Sequence, residues 1–217
     1  MEKRLTGLSA EELENFFLLQ SQLFCDYRDP RRGPLEMLYL YGETEDNDPS
    51  TILRAIEFAN AGGMNSIGIA EGELGHGYAG FDGTVSRLKA FGWKSKMPIV
   101  KLDSGGIAST LTEARALVAY ARGTRGDIGI VASPFHLVRS FMTVATAIGD
   151  DPIRVYAFPG VPLRWNEDVV HSQGIHRNAR AGLLSDELKR MEKYRASEYG
   201  SMLSAEKALK YLDWRDR

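Results

Sequence analysis

The sequence predicts an α/β fold: an open, mostly parallel, Rossmann-like sheet with helices on both faces and a C-terminal helical cap. Between residues 35 and 158, short apolar runs alternate with segments of helical periodicity. The apolar runs lack polar alternation, which is typical of strands that helices cover on both faces. The segments between the runs are long enough for right-handed crossovers between parallel strands. These three observations together favour a layered sheet over a helical bundle or a sandwich.

The individual elements follow from apolar runs and helix-capping signals. Ser9 and Glu12 have the spacing of a capping box, which predicts a helix that reaches about Leu23. Strands are predicted over residues 35–41, 66–70, 99–102, 128–132 and 153–158. Helices are predicted over residues 49–61, 81–91, 109–122 and 134–148, each followed closely by glycine.

The segment after Pro159 differs in kind from the alternating part. We expect residues 159–165 to be irregular, His171 and His176 to lie in a loop, and two helices to follow, over residues 185–199 and 201–214. The predicted organisation is an N-terminal helix and connection (1–34), an α/β domain (35–158) and a C-terminal helical extension (159–217) packed on the same domain.

Composition narrows the classes of function. The chain has 27 basic and 29 acidic residues, a net charge of −2, which argues against nucleic-acid binding by counterion release. Cys25 is the single cysteine in the sequence, so an intrachain disulfide and a cysteine-rich zinc site are excluded. Apolar runs fall far short of the ~20 residues of a membrane-spanning helix. We therefore expect a cytoplasmic protein with a small-molecule ligand and no membrane or nucleic-acid partner; the oligomeric state stays open.

Small and ionisable residues gather where the predicted strands end. Ligands of open parallel sheets bind at the carboxyl ends of the strands, so these positions are candidate ligand contacts. They are Gly42, Glu43, Glu71, Gly72, Ser104 and Ser133. We expect Glu43 and Glu71 to lie close enough for mutual repulsion to raise the pKa of one carboxyl.

The junction after the fourth strand has the strongest local signal. Ser133 is a suitable N-cap, Pro134 suits the first helical position, His136 follows in the first turn, and Arg139 lies on the same side. Free backbone N–H groups, an imidazole and a guanidinium converge there, which predicts a site for phosphate or carboxylate. The alternative is a well-capped helix whose His and Arg make structural contacts.

The junction after the third strand places Ser109 and Thr110 at a helix start with Glu113 behind them. They are candidate ligand contacts and a candidate base, or else simple capping residues. Arg54, in the first crossover helix, is a candidate second cation.

Three further patterns are weaker. Residues 75–80 match G-x-G-x-x-G but begin too far beyond the strand, so a glycine-rich loop over the site is favoured over a dinucleotide fingerprint. The acidic run 43–48 is expected to be a solvated loop, apart from Glu43. His171 and His176 lack a recognisable third ligand, so no metal site is predicted.

The order of several segments resembles the YdcF-like family, which also includes SanA and ElyC. The resemblance covers residues 35–158 and rests on Leu40-Tyr41-Gly42, the helix with Arg54, residues 110–115, and Val131 to Arg139 with its Ser-x-x-His-x-x-Arg junction. The family's T-x-E-N-A motif appears with Glu113 one position beyond the family's Glu. The resemblance implies a Rossmann-type fold with a C-terminal helical addition and S-adenosylmethionine as a candidate cofactor, and it implies no reaction.

Two functional hypotheses follow. The first is a pocket at the carboxyl edge for a nucleotide-like or phosphorylated ligand, in a hydrolase or transferase with His136 as acid/base, Glu43 and Glu113 as candidate bases, and Arg139 on the anion. The second is a non-catalytic binding or regulatory protein that uses the same pocket, for example for S-adenosylmethionine. An approach of His136 to a carboxylate would favour the first. A scaffold role for the apolar stripe of residues 183–194 is a third reading.

Overall fold

A parallel sheet forms the centre of the molecule. The structure, a computed structural model, describes residues 7–72, 77–106, 109–124, 126–171, 176–195 and 202–217. Within these residues, five parallel strands lie in the order β3-β2-β1-β4-β5, which confirms the predicted sheet. The strands are β1 (Met37–Leu40), β2 (Ile67–Gly72), β3 (Ile99–Gly106), β4 (Ile128–Ala132) and β5 (Val155–Pro159).

Helices cover both faces of this sheet, as predicted. They are α1 (Ala10–Phe24), α2 (Asp48–Asn60), α3 (Gly80–Ala90), α4 (Thr110–Arg122), α5 (Leu137–Ile148), α6 (Gly182–Arg195) and α7 (Ala205–Arg215). The expected capping box starts α1, since the Ser9 hydroxyl accepts the Glu12 N–H and the Glu12 carboxylate accepts the Ser9 N–H. None of the helices in the described residues combines the length and the apolar character that crossing a bilayer requires.

Two apolar cores lie on opposite sides of the sheet. Leu38 and Leu40 of β1 face a core that Ile52 of α2 and Leu88 of α3 complete. Met37 and Tyr39 of the same strand, and Tyr41 directly after it, belong to a second core that also contains side chains of α1, α4, α5 and α7. Because both faces are buried, β1 has no polar alternation in its sequence.

The strand order creates a switch point between β1 and β4. From β1 the chain proceeds to β2 and then β3 on one side, after which α4 returns it to β4 on the other side of β1. The connections therefore diverge at the carboxyl ends of β1 and β4 and leave a crevice there. Ligands of doubly wound folds bind at such a crevice.

Several element boundaries differ from the predictions. Helix α5 begins at Leu137 rather than Pro134, so His136 is its cap residue and not a member of its first turn. Strand β3 continues to Gly106, because Asp103 and Gly106 pair with Glu71 and Gly72 at the end of β2, with a shift of register between the two pairs. Parts of two predictions lie outside the described residues: residues 75 and 76 of the glycine-rich loop, and residues 196–201, where the last two helices were predicted to end and begin.

Residues 160–165 form no helix or strand, as predicted, but His171 and His176, which were expected in a loop, lie in an antiparallel hairpin, so that prediction was wrong. Its strands are β6 (Asp168–His171) and β7 (His176–Ala179). The acidic run 43–48 lies against this part of the chain. The backbone N–H of Val170 donates to Asp46 Oδ2 at 2.9 Å, and the buried Arg180 donates from Nε to Asn47 Oδ1 at 2.9 Å. The run is therefore a covered segment and not the solvated loop expected.

Helix α7 attaches the end of the chain to α1 and β5. Arg215 is 1% exposed, pairs with Asp26 at 2.6 Å and donates to the carbonyl of Val155 at 3.0 Å. Asp26 Oδ2 also accepts the N–H of Ala157 at 2.8 Å. The hydroxyl of Tyr211 accepts the N–H of Val155 and donates to the Ile153 carbonyl, both at 2.9 Å. Polar contacts thus join α7 to the outer edge of β5.

The Arg215–Asp26 pair provides a test of this attachment. Replacing Arg215 by Met leaves the buried Asp26 carboxylate without its partner, so we expect the free energy of unfolding to fall by about 3–5 kcal/mol. Lys210→Met, on the same helix, removes a surface ion pair with Glu206 and should change stability little. Urea unfolding followed by circular dichroism measures both. Equal stability of the two variants would contradict a structural role for Arg215.

Candidate functional site

The polar residues predicted at the ends of β1 and β4 meet in the crevice between these strands. Oε1 of Glu43 accepts the backbone N–H of Ser133 at 2.9 Å and lies 3.1 Å from Nδ1 of His136. The Glu43 and His136 side chains are only 5% and 7% exposed. The backbone N–H of Ser133, which was expected to donate to an external anion, therefore donates to the Glu43 carboxylate of the same chain.

The tautomer of His136 follows from its neighbours. Nη1 of Arg139 contacts Oγ1 of Thr110, and a guanidinium can only donate, so the threonine oxygen accepts. The hydroxyl proton is then free to point at Nε2 of His136, 3.4 Å away. Nε2 is the acceptor in this arrangement, and Nδ1 carries the proton that points at Glu43. A hydroxyl, an imidazole and a carboxylate thus stand in the order that activates a hydroxyl nucleophile.

The 3.4 Å separation between Thr110 and His136 is longer than the about 2.6–3.2 Å of a formed catalytic hydrogen bond. Such contacts are often long before a ligand binds and shorten in the complex. Thr110 is partly exposed, whereas His136 is buried, so solvent reaches this group of residues from the threonine side.

A buried ion pair holds Arg139. Its Nε and Nη2 donate to the two carboxylate oxygens of Glu187 on α6, with an Nη2–Oε1 distance of 3.1 Å. The two side chains are 9% and 3% exposed. Burial alone would raise the pKa of Glu187, but the Arg139 guanidinium and, more weakly, His136 lower that pKa to about 2. The carboxylate is therefore ionised at neutral pH, and Arg139 is tied to α6 by a bidentate contact.

Glu113 lies beneath the crevice at the end of β1. Its Oε1 accepts the Gly42 N–H at 2.9 Å and the Tyr39 hydroxyl at 3.0 Å, and burial raises the pKa of its carboxyl. Gly42 has close neighbours, since a Cβ there would lie 3.0 Å from the Tyr78 ring and 3.3 Å from Glu113 Oε1. These contacts give Glu113 a role in shaping the strand end; its predicted role as a base remains a prediction.

Two other predicted site residues, Arg54 and Ser109, make their hydrogen bonds with residues outside this group. Arg54 donates from Nε to the Pro159 carbonyl at 2.8 Å and from Nη1 to Glu57 at 2.7 Å, which places its guanidinium at the end of β5. Ser109 caps α4, because its hydroxyl accepts the Thr112 N–H at 3.2 Å.

The β2–β3 edge holds the remaining predicted residues. The Ser104 hydroxyl donates to the Glu71 carbonyl at 3.1 Å, and Gly72 is paired with Gly106 at an irregularity in the register. The Glu71 carboxylate pairs with Lys101 of β3. The expected approach of Glu71 to Glu43 is not found, because Glu71 is turned towards β3 while Glu43 reaches towards β4.

The sequence interpretation missed Glu187. Residues 183, 187 and 191 are four apart, so they lie on one side of a helix, and Leu183 and Met191 belong to the stripe considered apolar. A carboxylate within an apolar stripe requires a buried partner. That pattern could have indicated a buried ion pair at Glu187, but it does not identify Arg139 as the partner.

Comparisons of the chain with models of protein families, with curated proteins and with solved structures found no match.

The low pKa of Glu187 makes a prediction about acid stability. Folding lowers this pKa from 4.5 to about 2, so the ionised Glu187 carboxylate stabilises the folded state. This contribution to the free energy of unfolding is complete above pH 4.5 and is lost as the pH falls towards 2. Glu187→Gln lacks this titration. We expect the stability difference between wild type and Glu187→Gln to shrink by about 3 kcal/mol over this range.

Urea unfolding at several pH values between 2 and 7 measures this difference. Glu14→Gln removes an exposed carboxylate from α1 and controls for the change in net charge. A difference between wild type and Glu187→Gln that does not vary with pH would show that the ion pair contributes nothing to stability.

Proposed function

We propose that this protein is a hydrolase or transferase that acts on a nucleotide-like or phosphorylated small molecule bound between the carboxyl ends of β1 and β4. The observation that carries the proposal is the position of His136, between the Thr110 hydroxyl and the Glu43 carboxylate. The approach of His136 to a carboxylate is the feature that favours catalysis over simple binding. The strand-order switch at the same crevice supports a ligand site there.

In this proposal His136 is the acid/base. Nε2 takes the proton of a hydroxyl, either that of Thr110 or that of a water or acceptor molecule bound beside it. The hydroxyl oxygen attacks the phosphoryl or related centre, and the proton on Nε2 is then passed to the leaving group. Glu43 keeps the Nδ1–H tautomer and stabilises the imidazolium that forms in between.

Arg139 is the candidate contact for the anionic group of the ligand. A guanidinium has five N–H donors, and the described contacts of Arg139 with Glu187 and Thr110 use three of them. The other two are available for a phosphoryl or carboxylate oxygen. Glu187 fixes the direction of these donors, because the bidentate pair leaves the guanidinium plane little freedom.

The catalytic part of the proposal is tested with His136→Gln and Glu43→Gln. A screen of nucleotides, sugar phosphates and chromogenic phosphate and carboxylate esters first identifies a substrate of the wild-type protein. Loss of the base should then lower kcat by roughly 100-fold or more, with little change in ligand affinity measured by calorimetry. Glu43→Gln should lower kcat as well, since the tautomer of His136 is no longer fixed.

Glu45→Gln is the matched control for Glu43→Gln. Glu45 lies in the same segment, but its side chain is 80% exposed and pairs with Arg87, so kcat should stay at the wild-type value. Unchanged turnover in His136→Gln would rule out the proposed role of this residue. Ligand binding without turnover by the wild-type protein would instead favour the non-catalytic hypothesis.

The binding part is tested with Arg139→Lys. Lysine keeps a positive charge opposite Glu187 but lacks the fork of N–H donors. We expect the affinity for the anionic ligand to fall by about 1.5–3 kcal/mol. Isothermal titration calorimetry measures this change, and the unfolding transition shows whether the variant is folded. Wild-type affinity in a folded variant would place the anion elsewhere.

A further inference from the structure

The β6–β7 hairpin brings two histidines to one side. His171 and His176 are directly opposite one another in the antiparallel register, so their side chains leave the same face of the hairpin. Their ring centroids are 5.3 Å apart and the ring planes are inclined by 40°. His171 is 2% exposed, whereas His176 is exposed at the surface.

Helix α6 supplies a carboxylate to the same place. Gly182 and Asp186 are four residues apart and lie on one side of α6. The His171 ring lies over this side, since a Cβ on Gly182 would be 2.9 Å from its Cε1 atom. Oδ2 of Asp186 is 3.1 Å from Nδ1 of His171, while the other oxygen, Oδ1, is 3.5 Å from Nζ of Lys189.

The hydrogen bonding of His171 identifies what lies between the imidazole and the carboxylate. Nε2 is 3.0 Å from the Ala179 carbonyl oxygen, which can only accept, so Nε2 carries a proton. In the neutral imidazole Nδ1 then presents a lone pair to the lone pairs of Asp186 Oδ2. Two facing lone pairs at 3.1 Å require a positive centre between them, either a proton or a metal ion.

The geometry points to a binding site for a divalent transition-metal ion, most suited to zinc, formed by His171, His176 and Asp186. Their ligand atoms all lie within 4.8 Å of one another, so one ion can reach them. A proton shared by His171 and Asp186 would not explain why His176 lies beside them. Two imidazoles and a carboxylate are a ligand set that zinc accepts, with a fourth position left for water. The Nε2–H bond to a backbone carbonyl is the outer contact that metal-bound histidines usually make.

Such an ion would connect the hairpin to α6. Asp186 is adjacent in the sequence to Glu187, which holds Arg139 in the crevice, and Val170 of the hairpin is bound to Asp46. The metal site is separate from His136 and Glu43, and its existence does not depend on the proposed reaction. It would fix the position of the helix that carries Glu187.

The test uses the whole chain of 217 residues after treatment with a chelator. Co²⁺ is titrated and followed by its visible d–d absorption, and Zn²⁺ is titrated in competition with a chromogenic chelator. We expect one equivalent of either metal to bind and Zn²⁺ to raise Tm. The d–d absorption of bound Co²⁺ should have the intensity that is typical of a four-coordinate site. Binding should weaken at acid pH, because the ligands must be deprotonated.

His176→Ala and Asp186→Asn should each lower the Zn²⁺ affinity by roughly 100-fold or more, since loss even of an outer-shell contact typically costs about 10–100-fold. His176 is exposed, so its replacement should leave the fold intact, which circular dichroism checks. Asp168→Asn removes an exposed carboxylate from the same hairpin and should bind Zn²⁺ like wild type. Stoichiometric binding that neither ligand variant weakens, or the absence of stoichiometric binding by wild type, would overturn the proposal.

Discussion

The buried ion pair between Arg139 and Glu187 is the interaction on which the geometry of the crevice depends. A guanidinium at this depth is unfavourable without a partner, and Glu187 supplies one from a helix almost fifty residues further along the chain. Once Arg139 is fixed, its Nη1 determines that Thr110 accepts a hydrogen bond. The threonine proton is then free to point at Nε2 of His136, and the Glu43 carboxylate, which can only accept, faces the proton on Nδ1. The C-terminal extension is therefore part of the crevice, although its described strands, β6 and β7, form a separate hairpin outside the central sheet.

The strand order explains why these particular segments meet. β1 lies between β2 and β4, and the connections from β1 and β4 diverge to opposite faces of the sheet. The segment after β1 can therefore extend over the end of β4 without a crossover helix in the way. Glu43 uses this freedom to reach the backbone of Ser133. Glu71 is at the end of β2, which β1 separates from β4, and its exposed side chain pairs with Lys101 on β3 instead.

Local patterns predicted the elements well and the long-range contacts poorly. The capping boxes at Ser9 and Ser109 and the doubly buried strands depend on neighbours in the sequence, and the structure has them. The helix after β4 was predicted to start at Pro134 because the Ser-Pro sequence resembles a capped start. Residues 134–136 instead form a turn, in which the Ser133 carbonyl accepts the N–H groups of His136 and Leu137, and the helix begins at Leu137.

In the candidate site too, residues at strand ends and helix starts were predicted, whereas contacts between distant parts of the chain were not. His136, Glu43, Thr110 and Arg139 were recognised because each follows a strand or begins a helix, positions that the parallel sheet brings to one edge. The contact of Arg54 with a carbonyl of β5 could not be predicted, because no pattern in the sequence reveals it, and its role as a second cation stays a prediction. The β6–β7 hairpin was missed because Asp168–His171 and His176–Ala179 are short and mostly polar, so they lack the apolar runs that indicate buried strands.

The contacts around Arg215 have a consequence for how the molecule behaves in a crowded solution. β5 is an outer strand of the sheet, and an outer strand exposes unpaired N–H and C=O groups with which another chain can pair. Here the outward N–H groups of Val155 and Ala157 are occupied by Tyr211 and Asp26, and the Val155 carbonyl accepts from Arg215. Side chains from both ends of the chain thus occupy the hydrogen-bonding groups of this edge. A chain that still lacks α7, as during synthesis, keeps Asp26 on the Ala157 N–H but leaves the Val155 groups of that edge open, so the addition of α7 also protects the sheet against edge-to-edge association.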